Sequence, residues 1–198
     1  SVGFTVYGTI HARQMTTRSY DINVDKQVDG IDSLNVVLVA DLHLGYSIGC
    51  DDMRKMAERI NALNPDVVIY AGDIFDNDYD ALDDEAQLKE ILHSINAKYG
   101  SYAVFGNHDV TETLVGGFST ASSRKAFRDS RMESFLDEAG INIMLDEVTT
   151  IADGKINLIG RLDGEKAGDG TRNRKDLSEL IEQCDMSKPV IVINHEPD

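Results

Sequence analysis

The stretch from residue 103 to 110 reads AVFGNHDV. It is apolar up to Phe105, and after a glycine three polar residues, Asn107, His108 and Asp109, follow one another. The apolar run predicts the end of a buried strand, where three consecutive polar side chains serve no packing purpose. Functional groups collect at the carboxyl ends of strands in open α/β sheets. The stretch therefore predicts a functional site at the edge of a sheet.

Three other apolar runs end in the same way. They read VVLVADLH, VVIYAGDIFDN and VIVINHEP, and carboxylate or imidazole side chains follow each of them directly. These side chains are Asp41, His43, Asp73, Asp76 and His195. A turn or helix cap explains one or two such residues, but it does not explain four strand ends. We expect these side chains to converge with residues 107–109, and Gly72 and Gly106 to let the backbone approach a ligand closely.

The remaining chain alternates predicted strands and helices. NVVLVA (35–40) is typical of a strand covered on both faces, and PDVVIYA (65–71) and SYAVF (101–105) of two more buried strands. DDMRKMAERINAL (51–63) predicts a helix with Met53, Met56, Ile60 and Leu63 on one face. Residues 83–100 predict a second helix closed by Gly100.

The C-terminal half continues this pattern. Residues 126–140 predict a third helix closed by Gly140, and residues 174–184 a last helix before the strand PVIVIN. INIML, EVTTIA and KINLIG lie close together and predict a meander of strands. Residues 1–30 alternate apolar and polar side chains, as half-buried strands do. These elements predict a layered α/β fold with one mixed sheet or two sheets.

The composition of the chain limits the classes of function that are expected. The chain has 198 residues, of which 41% are hydrophobic, which suits one domain with a core. The formal net charge of −16 repels nucleic-acid backbones, so a nucleic-acid partner is not expected, whereas carboxylates are ligands for divalent cations. No apolar run approaches the ~20 residues of a membrane span. Two cysteines are too few for a disulfide framework.

The elements DLH, GDIFD, GNHD and NHEP resemble, in this order, the motifs of the calcineurin-like metallophosphoesterase family. The resemblance covers residue 34 to the end, so that we expect residues 31–198 to be the metallophosphoesterase domain and residues 1–30 to lie at its edge. It implies an α/β sandwich of two mixed β-sheets flanked by helices. It is strongest to bacterial phosphoesterases that are often tethered outside the cytoplasmic membrane. A membrane-anchored, extracytoplasmic parent protein is therefore expected, although the residues alone leave the localisation open, the cytoplasm included.

The resemblance also implies a site with two divalent metal ions. Asp41 and His43 would hold the first ion, Asp73 would bridge both, and Asn107 and His195 would hold the second. Such a donor set suits Mn²⁺, or else Fe or Zn, better than Ca²⁺. A hydroxide between the ions would attack the phosphorus atom of a phosphomonoester or phosphodiester.

The resemblance gives the remaining polar residues different roles. His108 would not bind metal. It would stabilise the developing charge or protonate the leaving oxygen, and Asp76 would orient it. Asp109 would be a structural hydrogen-bond acceptor.

The sequence departs from the family pattern in one respect, because it lacks the final G-H-x-H motif whose histidines complete the two metal sites. We therefore expect a fragment that is truncated at its C-terminus and weakly active. A non-catalytic interaction module with the same fold is the alternative, but it would have lost several of these ligands. A nuclease is disfavoured by the charge. The substrate is expected to be small and phosphorylated, with a phospholipid-like or nucleotide-sugar diester left open, and Arg124, Lys125, Arg128 and Arg161 are candidates to grip it.

Overall fold

The computed structural model of the chain describes residues 15–112, 114–115, 118–119, 126–170 and 173–196. Strands and helices alternate through most of this part. The strands are β1 (Val36–Val39), β2 (Val67–Ala71), β3 (Ser101–Val104), β4 (Leu114–Val115), β5 (Phe118–Ser119), β6 (Ile141–Ile143), β7 (Glu147–Ile151), β8 (Ile156–Gly160) and β9 (Val190–Ile193). The α-helices are α1 (Cys50–Ala62), α2 (Glu85–His93), α3 (Ser130–Glu138) and α4 (Leu177–Ile181), and a 3₁₀ turn covers Tyr79–Ala81.

The strands form two larger sheets and one small hairpin. The first sheet has the order β1-β2-β3-β6, and all its strands run parallel. The second sheet has the order β7-β8-β9, with β7 antiparallel and β9 parallel to β8. The hairpin pairs β4 with β5. The expected α/β sandwich of two sheets flanked by helices is confirmed, but among the described residues only the second sheet is mixed, because the first is entirely parallel.

The core lies on both faces of the first sheet. Val68 and Tyr70 of β2 pack with the apolar faces of α1, α2 and α3 in one cluster of buried residues. Val67 and Ile69, which alternate with them, pack with residues of the second sheet in another cluster. Because successive side chains of a strand point to opposite faces, a continuous apolar run buries β2 on both sides. This burial holds the carboxyl ends of the strands in fixed positions.

Helix α1 confirms the periodicity seen in the sequence. Met53, Met56 and Ile60 are buried, whereas Leu63, which follows the helix as its C-cap, is 39% exposed. Asp51 and Asp52 lie in the first turn, where carboxylates are stabilised by the helix dipole.

Helix α2 ends earlier than predicted. It ends at His93, and the side chain of Asn61 in α1 forms hydrogen bonds with backbone groups that follow the helix. Asn61 donates to the carbonyl oxygen of Ser94 at 3.0 Å and accepts from the N–H of Asn96 at 2.8 Å. These bonds replace the helical ones, so the chain leaves the helix there. Gly100, with φ +93°, closes the turn before β3 instead of the helix.

The predicted meander is wrong for its first strand. β6 pairs in parallel with β3 in the first sheet, and only β7 and β8 form a hairpin. Helix α3 connects β3 to β6, and a strand that follows a crossover helix joins its sheet in parallel.

Two predicted helices are also shorter than the sequence indicates. Asp129 caps α3 by accepting from the N–H of Arg131, and α4 begins only after Lys175, whose N–H donates to Asp146 at 2.7 Å.

Two strand predictions near the N-terminus also need correction. Residues 16–25 have no strand pairing and expose their side chains, while residues 1–14 lie outside the described part. β1 forms, but it is the edge strand of its sheet, and Leu38 is 66% exposed instead of covered on both faces. In the described part of the chain β1 pairs with β2 alone, whereas β2 lies between β1 and β3.

No helix among the described residues is both long and apolar enough to cross a membrane.

Candidate metal centre

The site lies where β1, β2, β3 and β9 end, because the loops after these strands carry its side chains. The loops that follow β1 and β2 remain hydrogen-bonded to each other. The backbone N–H of Asp41 donates to the carbonyl oxygen of Gly72 at 3.2 Å, and that of His43 donates to the carbonyl oxygen of Asp73 at 3.0 Å. Asp41, His43 and Asp73 all have positive φ, at 55°, 48° and 51°. This conformation is uncommon for residues other than glycine, and such residues cluster at functional sites.

The first group of possible metal ligands consists of Asp41, Asp73 and His195, each of which offers one ligand atom within 4.8 Å of the others. His195 Nε2 lies 3.4 Å from Asp73 Oδ1 and 3.3 Å from Asn107 Oδ1. Side chains from three distant strand ends therefore converge on one point, as the sequence predicts.

A backbone hydrogen bond orients the ring of His195. Its Nδ1 lies 2.8 Å from the carbonyl oxygen of Ala71, and a carbonyl only accepts, so Nδ1 carries the hydrogen. The lone pair of the neutral ring is then on Nε2, which faces Asp73. A histidine that binds metal commonly donates its other N–H in this way. Burial lowers the pKa of His195, but the Ala71 carbonyl and the carboxylates of Asp73, Asp41 and Asp163 together outweigh it, and the net shift is upward.

The second group consists of His43, Asp76 and His108. Asp76 Oδ1 lies between the two rings, 3.6 Å from Nδ1 of His43 and 3.6 Å from Nδ1 of His108. The rings meet edge to face with their centroids 4.9 Å apart. All three side chains are half-buried, so this group is more open to solvent than Asp73 and His195.

Asp73 joins the two groups. Its Oδ1 faces His195, and its Oδ2 lies 3.8 Å from Nε2 of His43. Oδ1 also accepts from the backbone N–H of His108 at 2.9 Å, which fixes the carboxylate. The side chain is buried, and its two oxygens point to histidines from different strand ends.

Two glycines make room for this crowding. A Cβ at Gly72, whose φ is +88°, would lie 2.5 Å from Nδ1 of His195. A Cβ at Gly106 would touch both Asp73 and His195. The sequence predicted that these glycines allow close approach, and the structure shows that the approaching groups are the site's own side chains.

Asp109 is fully buried behind the site. Its Oδ1 accepts from the N–H of Phe75 and its Oδ2 from the N–H of Gly106, each at 2.7 Å. Burial raises the pKa of this carboxyl to about 7, against the effect of the two N–H bonds. The carboxyl therefore ties the loops after β2 and β3 together, which confirms the structural role expected for it.

Sequence reasoning missed one residue of the site, Asn77. Its side-chain Nδ2 lies 2.7 Å from Nδ1 of His108. The nearest signal was its position next to Asp76 in GDIFDN, since asparagine tolerates the left-handed conformation that it adopts here, with φ 56°.

Of the basic residues considered as phosphate ligands, Arg128 is engaged elsewhere. Its guanidinium stacks 3.9 Å from the centre of the Phe105 ring, donates to the carbonyl of Ala167 and pairs with Glu133. Arg161 is buried as well, and Arg124 and Lys125 lie outside the described residues.

The donor chemistry fits a divalent metal centre. Carboxylate, amide and imidazole side chains converge here, and neither of the two groups of possible ligands contains a cysteine. Such a mixture of oxygen and nitrogen donors suits Mn, Fe or Zn. The lone pair of His195 already faces the carboxylates, and its other nitrogen is held by the backbone. The residues present are therefore suited to hold such an ion.

Comparison with known proteins agrees with this geometry. The family model described as calcineurin-like phosphoesterase matches residues 34–198. The match includes every strand end that contributes to the two groups.

Individual relatives are similar along most of the chain. It is 28% identical to a zebrafish (Danio rerio) transmembrane protein with metallophosphoesterase domain, over 97% of this chain and 42% of the relative. It is 24% identical to the UDP-2,3-diacylglucosamine pyrophosphatase LpxG of Chlamydia trachomatis, over 89% of this chain and 61% of that protein. It is 27% identical to the uncharacterized metallophosphoesterase YkuE of Bacillus subtilis, over 85% of this chain and 53% of that protein. The chain thus spans about half the length of these relatives.

Proposed function

The chain belongs to the calcineurin-like phosphoesterase family, and we propose that it hydrolyses phosphoester bonds with the help of two divalent metal ions. The observation that carries the proposal is the position of Asp73. Its two oxygens face His195 on one side and His43 on the other, as a carboxylate shared by two ions requires.

The remaining ligands divide around Asp73. Asn107 and His195 would hold one ion, and His43 would hold the other. The family resemblance implies that Asp41 and His43 hold the same ion, whereas in the folded chain a ligand atom of Asp41 lies within 4.8 Å of those of His195 and Asp73. Asp41 therefore lies where it would serve the ion at His195, and its pairing is part of the proposal.

Bound divalent ions supply an activated water nucleophile at neutral pH and stabilise phosphoryl charge. Mn²⁺ is the ion that we propose first, because three of the five proposed ligands, Asp41, Asp73 and Asn107, donate oxygen. The chain's own residues orient the donors. His195 is held by the Ala71 carbonyl, and Asp73 by the N–H of His108.

His108 and Asp76 are the proposed catalytic pair. Their side chains are half-buried and open to solvent, and the backbone N–H of His108 donates to Asp73, so a phosphoryl group could approach them there. The imidazole would donate a hydrogen bond to a phosphoryl oxygen, and Asp76 would act through it.

A small phosphorylated substrate with a lipid or nucleotide-sugar portion is the class that we propose. The name of the chlamydial relative describes a pyrophosphatase for a diacylated UDP-sugar, and the zebrafish relative is named as a transmembrane protein. We therefore propose that the parent protein works near a membrane. The charge of −16 supports a small substrate over a nucleic acid.

A metal titration coupled to an activity assay tests the proposal. The metal-free chain is titrated with Mn²⁺ in a calorimeter, and turnover of bis(p-nitrophenyl) phosphate and of a UDP-sugar pyrophosphate is followed. We expect two sites per chain and metal-dependent turnover, both lost in Asp73→Asn. The matched control is Asp137→Asn, which changes an exposed carboxylate on α3. Two bound ions without turnover of any phosphoester would favour the non-catalytic interaction module, and near-full activity in Asp73→Asn would rule out the metal assignment.

The role of His108 is tested separately. His108→Ala should leave the Mn²⁺ stoichiometry unchanged and slow turnover by about 10²–10⁴-fold, because the histidine contributes to the reaction and not to metal binding. Loss of one bound ion in this variant would mean that His108 is a ligand.

A further inference from the structure

Asp163 lies just beyond the end of β8, beside the strand end that carries His195. Strand β8 runs parallel to β9, so both strands end at the same edge of the second sheet. The last residues paired between them are Gly160 and Ile193, and the N–H of Arg161 still donates to the carbonyl of Ile193 at 3.0 Å. Asp163 and His195 follow within three residues of this pair. A fifth strand end therefore brings a carboxylate to the edge where the metal centre lies.

The carboxylate of Asp163 is buried, but only one of its oxygens is engaged. The residue is 2% exposed. Its Oδ1 accepts from the backbone N–H of Glu165 at 2.9 Å and from that of Lys166 at 2.7 Å, which closes the turn after β8. Its Oδ2 is buried as well and forms no hydrogen bond with any described residue. Burying a charged oxygen without a donor is costly, so this atom indicates a ligand that supplies one.

Basic side chains near Asp163 are directed to other acceptors. Nη2 of Arg161 and Nη1 of Arg174 each donate to a backbone carbonyl at 3.4 Å. Nζ of Lys166 lies 2.9 Å from Oε1 of Glu112 in an ion pair. The turn therefore explains Oδ1 of Asp163, whereas the described residues offer no donor that explains the burial of Oδ2.

Asp163 is close enough to the proposed ligands to act on them electrostatically. Against the effect of burial, the pKa of His195 is raised by the Ala71 carbonyl and by the carboxylates of Asp73, Asp41 and Asp163. Asp73 and Asp41 belong with His195 to the group whose ligand atoms all lie within 4.8 Å of one another, and Asp163 does not. Its carboxylate therefore lies near this group without joining it, which suits contact through a water molecule.

The charge of the proposed centre favours a further carboxylate. Two divalent ions bring four positive charges, whereas the two groups of possible ligands contain three carboxylates, those of Asp41, Asp73 and Asp76. A buried carboxylate nearby reduces this excess, and opposite charges attract more strongly in a buried site than in water. Asp163 has the burial, the charge and the unengaged acceptor oxygen that such a role requires.

We propose that Asp163 is a positioning residue of the metal centre, and that its Oδ2 accepts a hydrogen bond from a water molecule on the ion held by Asp41, Asp73 and His195. Asp163 does not bind the ion directly. Its Oδ1 holds the turn, and its Oδ2 holds the water molecule and adds a negative charge beside the ion. The proposal deepens the proposed function and rests on its metal centre alone, not on the reaction.

Asp163→Asn separates the roles of the two carboxylate oxygens. The amide oxygen can still accept from both N–H groups of the turn, whereas the NH₂ group removes the acceptor and the charge at Oδ2. Asp163→Ser, whose hydroxyl also accepts in such turns and carries no charge, is measured alongside it. The control is Asp185→Asn, because Asp185 accepts from the N–H of Ser187 in a similar turn but precedes β9, at the opposite edge of the sheet.

Calorimetric titration of the metal-free chain with Mn²⁺ measures the effect on binding. We expect both Asp163 variants to bind two ions, one of them about 10–100-fold more weakly than the wild type does, and Asp185→Asn to bind both as the wild type does. Urea denaturation is followed with and without Mn²⁺. The midpoint of Asp163→Asn should match the wild type without the ion and fall below it with the ion, because weaker binding stabilises the fold less.

The other outcomes separate this proposal from the proposed function. Affinity within about twofold of the wild type in Asp163→Asn, loss of a whole site, or equal weakening in Asp185→Asn overturns it. A midpoint lowered equally with and without Mn²⁺ would mean that Asp163 only supports the fold. A wild type that binds Mn²⁺ but does not hydrolyse bis(p-nitrophenyl) phosphate, together with weakened binding in Asp163→Asn, supports the role of Asp163 and counts against the proposed reaction. A wild type that binds no Mn²⁺ overturns both.

Discussion

Replacing Gly106 by alanine should damage the metal centre more than the fold. The new Cβ would lie 2.3 Å from Oδ1 of Asp73, 2.7 Å from the backbone nitrogen of Asp73 and 2.8 Å from Cδ2 of His195. Carbon atoms in contact are normally about 3.5–4 Å from their neighbours. At least one neighbour must therefore move by roughly 1 Å, and the backbone nitrogen cannot rotate away.

The substitution should have a smaller effect on folding stability than on metal affinity. Crowding of this kind costs about 1–3 kcal/mol of folding free energy. Metal ligands need to lie within about 0.2 Å of their proper distances, so displacement of Asp73 and His195 affects both proposed ions at once. Loss of orientation around metal ligands typically lowers affinity by about 10–100-fold, and we expect at least that loss for Mn²⁺.

Gly160→Ala is the matched control. Its Cβ would lie 2.2 Å from Cβ of Met144, a similar clash in a strand and without a metal ligand in contact. Urea denaturation of both variants should show a comparable loss of stability. Calorimetry should show weakened Mn²⁺ binding in Gly106→Ala alone. Wild-type affinity in Gly106→Ala, or an equal loss in Gly160→Ala, would refute the idea that this glycine makes room for the ligands.

Two further variants test buried and exposed carboxylates. In Asp109→Asn, one of the N–H groups of Phe75 and Gly106 faces an NH₂ group instead of an oxygen. We expect a loss of about 1–3 kcal/mol in urea denaturation, and an unchanged midpoint would contradict the structural role of this carboxyl. Asp185 has a pKa lowered to about 2, chiefly by the hydroxyl and the N–H of Ser187. A lowered carboxyl pKa stabilises the fold above the unfolded value of about 4, and this contribution is lost as the pH falls through the folded value. In Ser187→Ala the pKa of Asp185, followed by NMR titration, should rise towards its ordinary value, and a pKa that stays near 2 would show that the hydroxyl is not the cause.

Much of the fold is readable from local patterns. The apolar run of β2 and the 3.6-residue spacing in α1 each indicate an element whose burial the structure confirms. Hydrophobic periodicity works here because it reflects which side of an element is covered. It failed at the end of α2, where nothing local shows that Asn61, some thirty residues earlier, takes over the backbone hydrogen bonds.

The chemistry of the site was also partly readable. Polar residues directly after apolar strands, as in GNHD, indicate a site at strand ends, and the structure brings Asp73, His108 and His195 together there. The grouping of the individual side chains in space was not readable. Asp41 and His43 are two residues apart in the sequence, yet they belong to different groups in space.

The sequence by itself determined the residue types at each strand end, the buried strands and the glycines that permit close approach. These features depend on neighbours along the chain and on the general physics of strands and turns. Only the tertiary structure decided that Asp73 faces two histidines, that Asn77 and not Asp76 makes the short contact to His108, and that β1 lies at an exposed edge. The physical reason is that each of these features depends on atoms from distant segments, whose distances and directions are set by the packing of the two sheets.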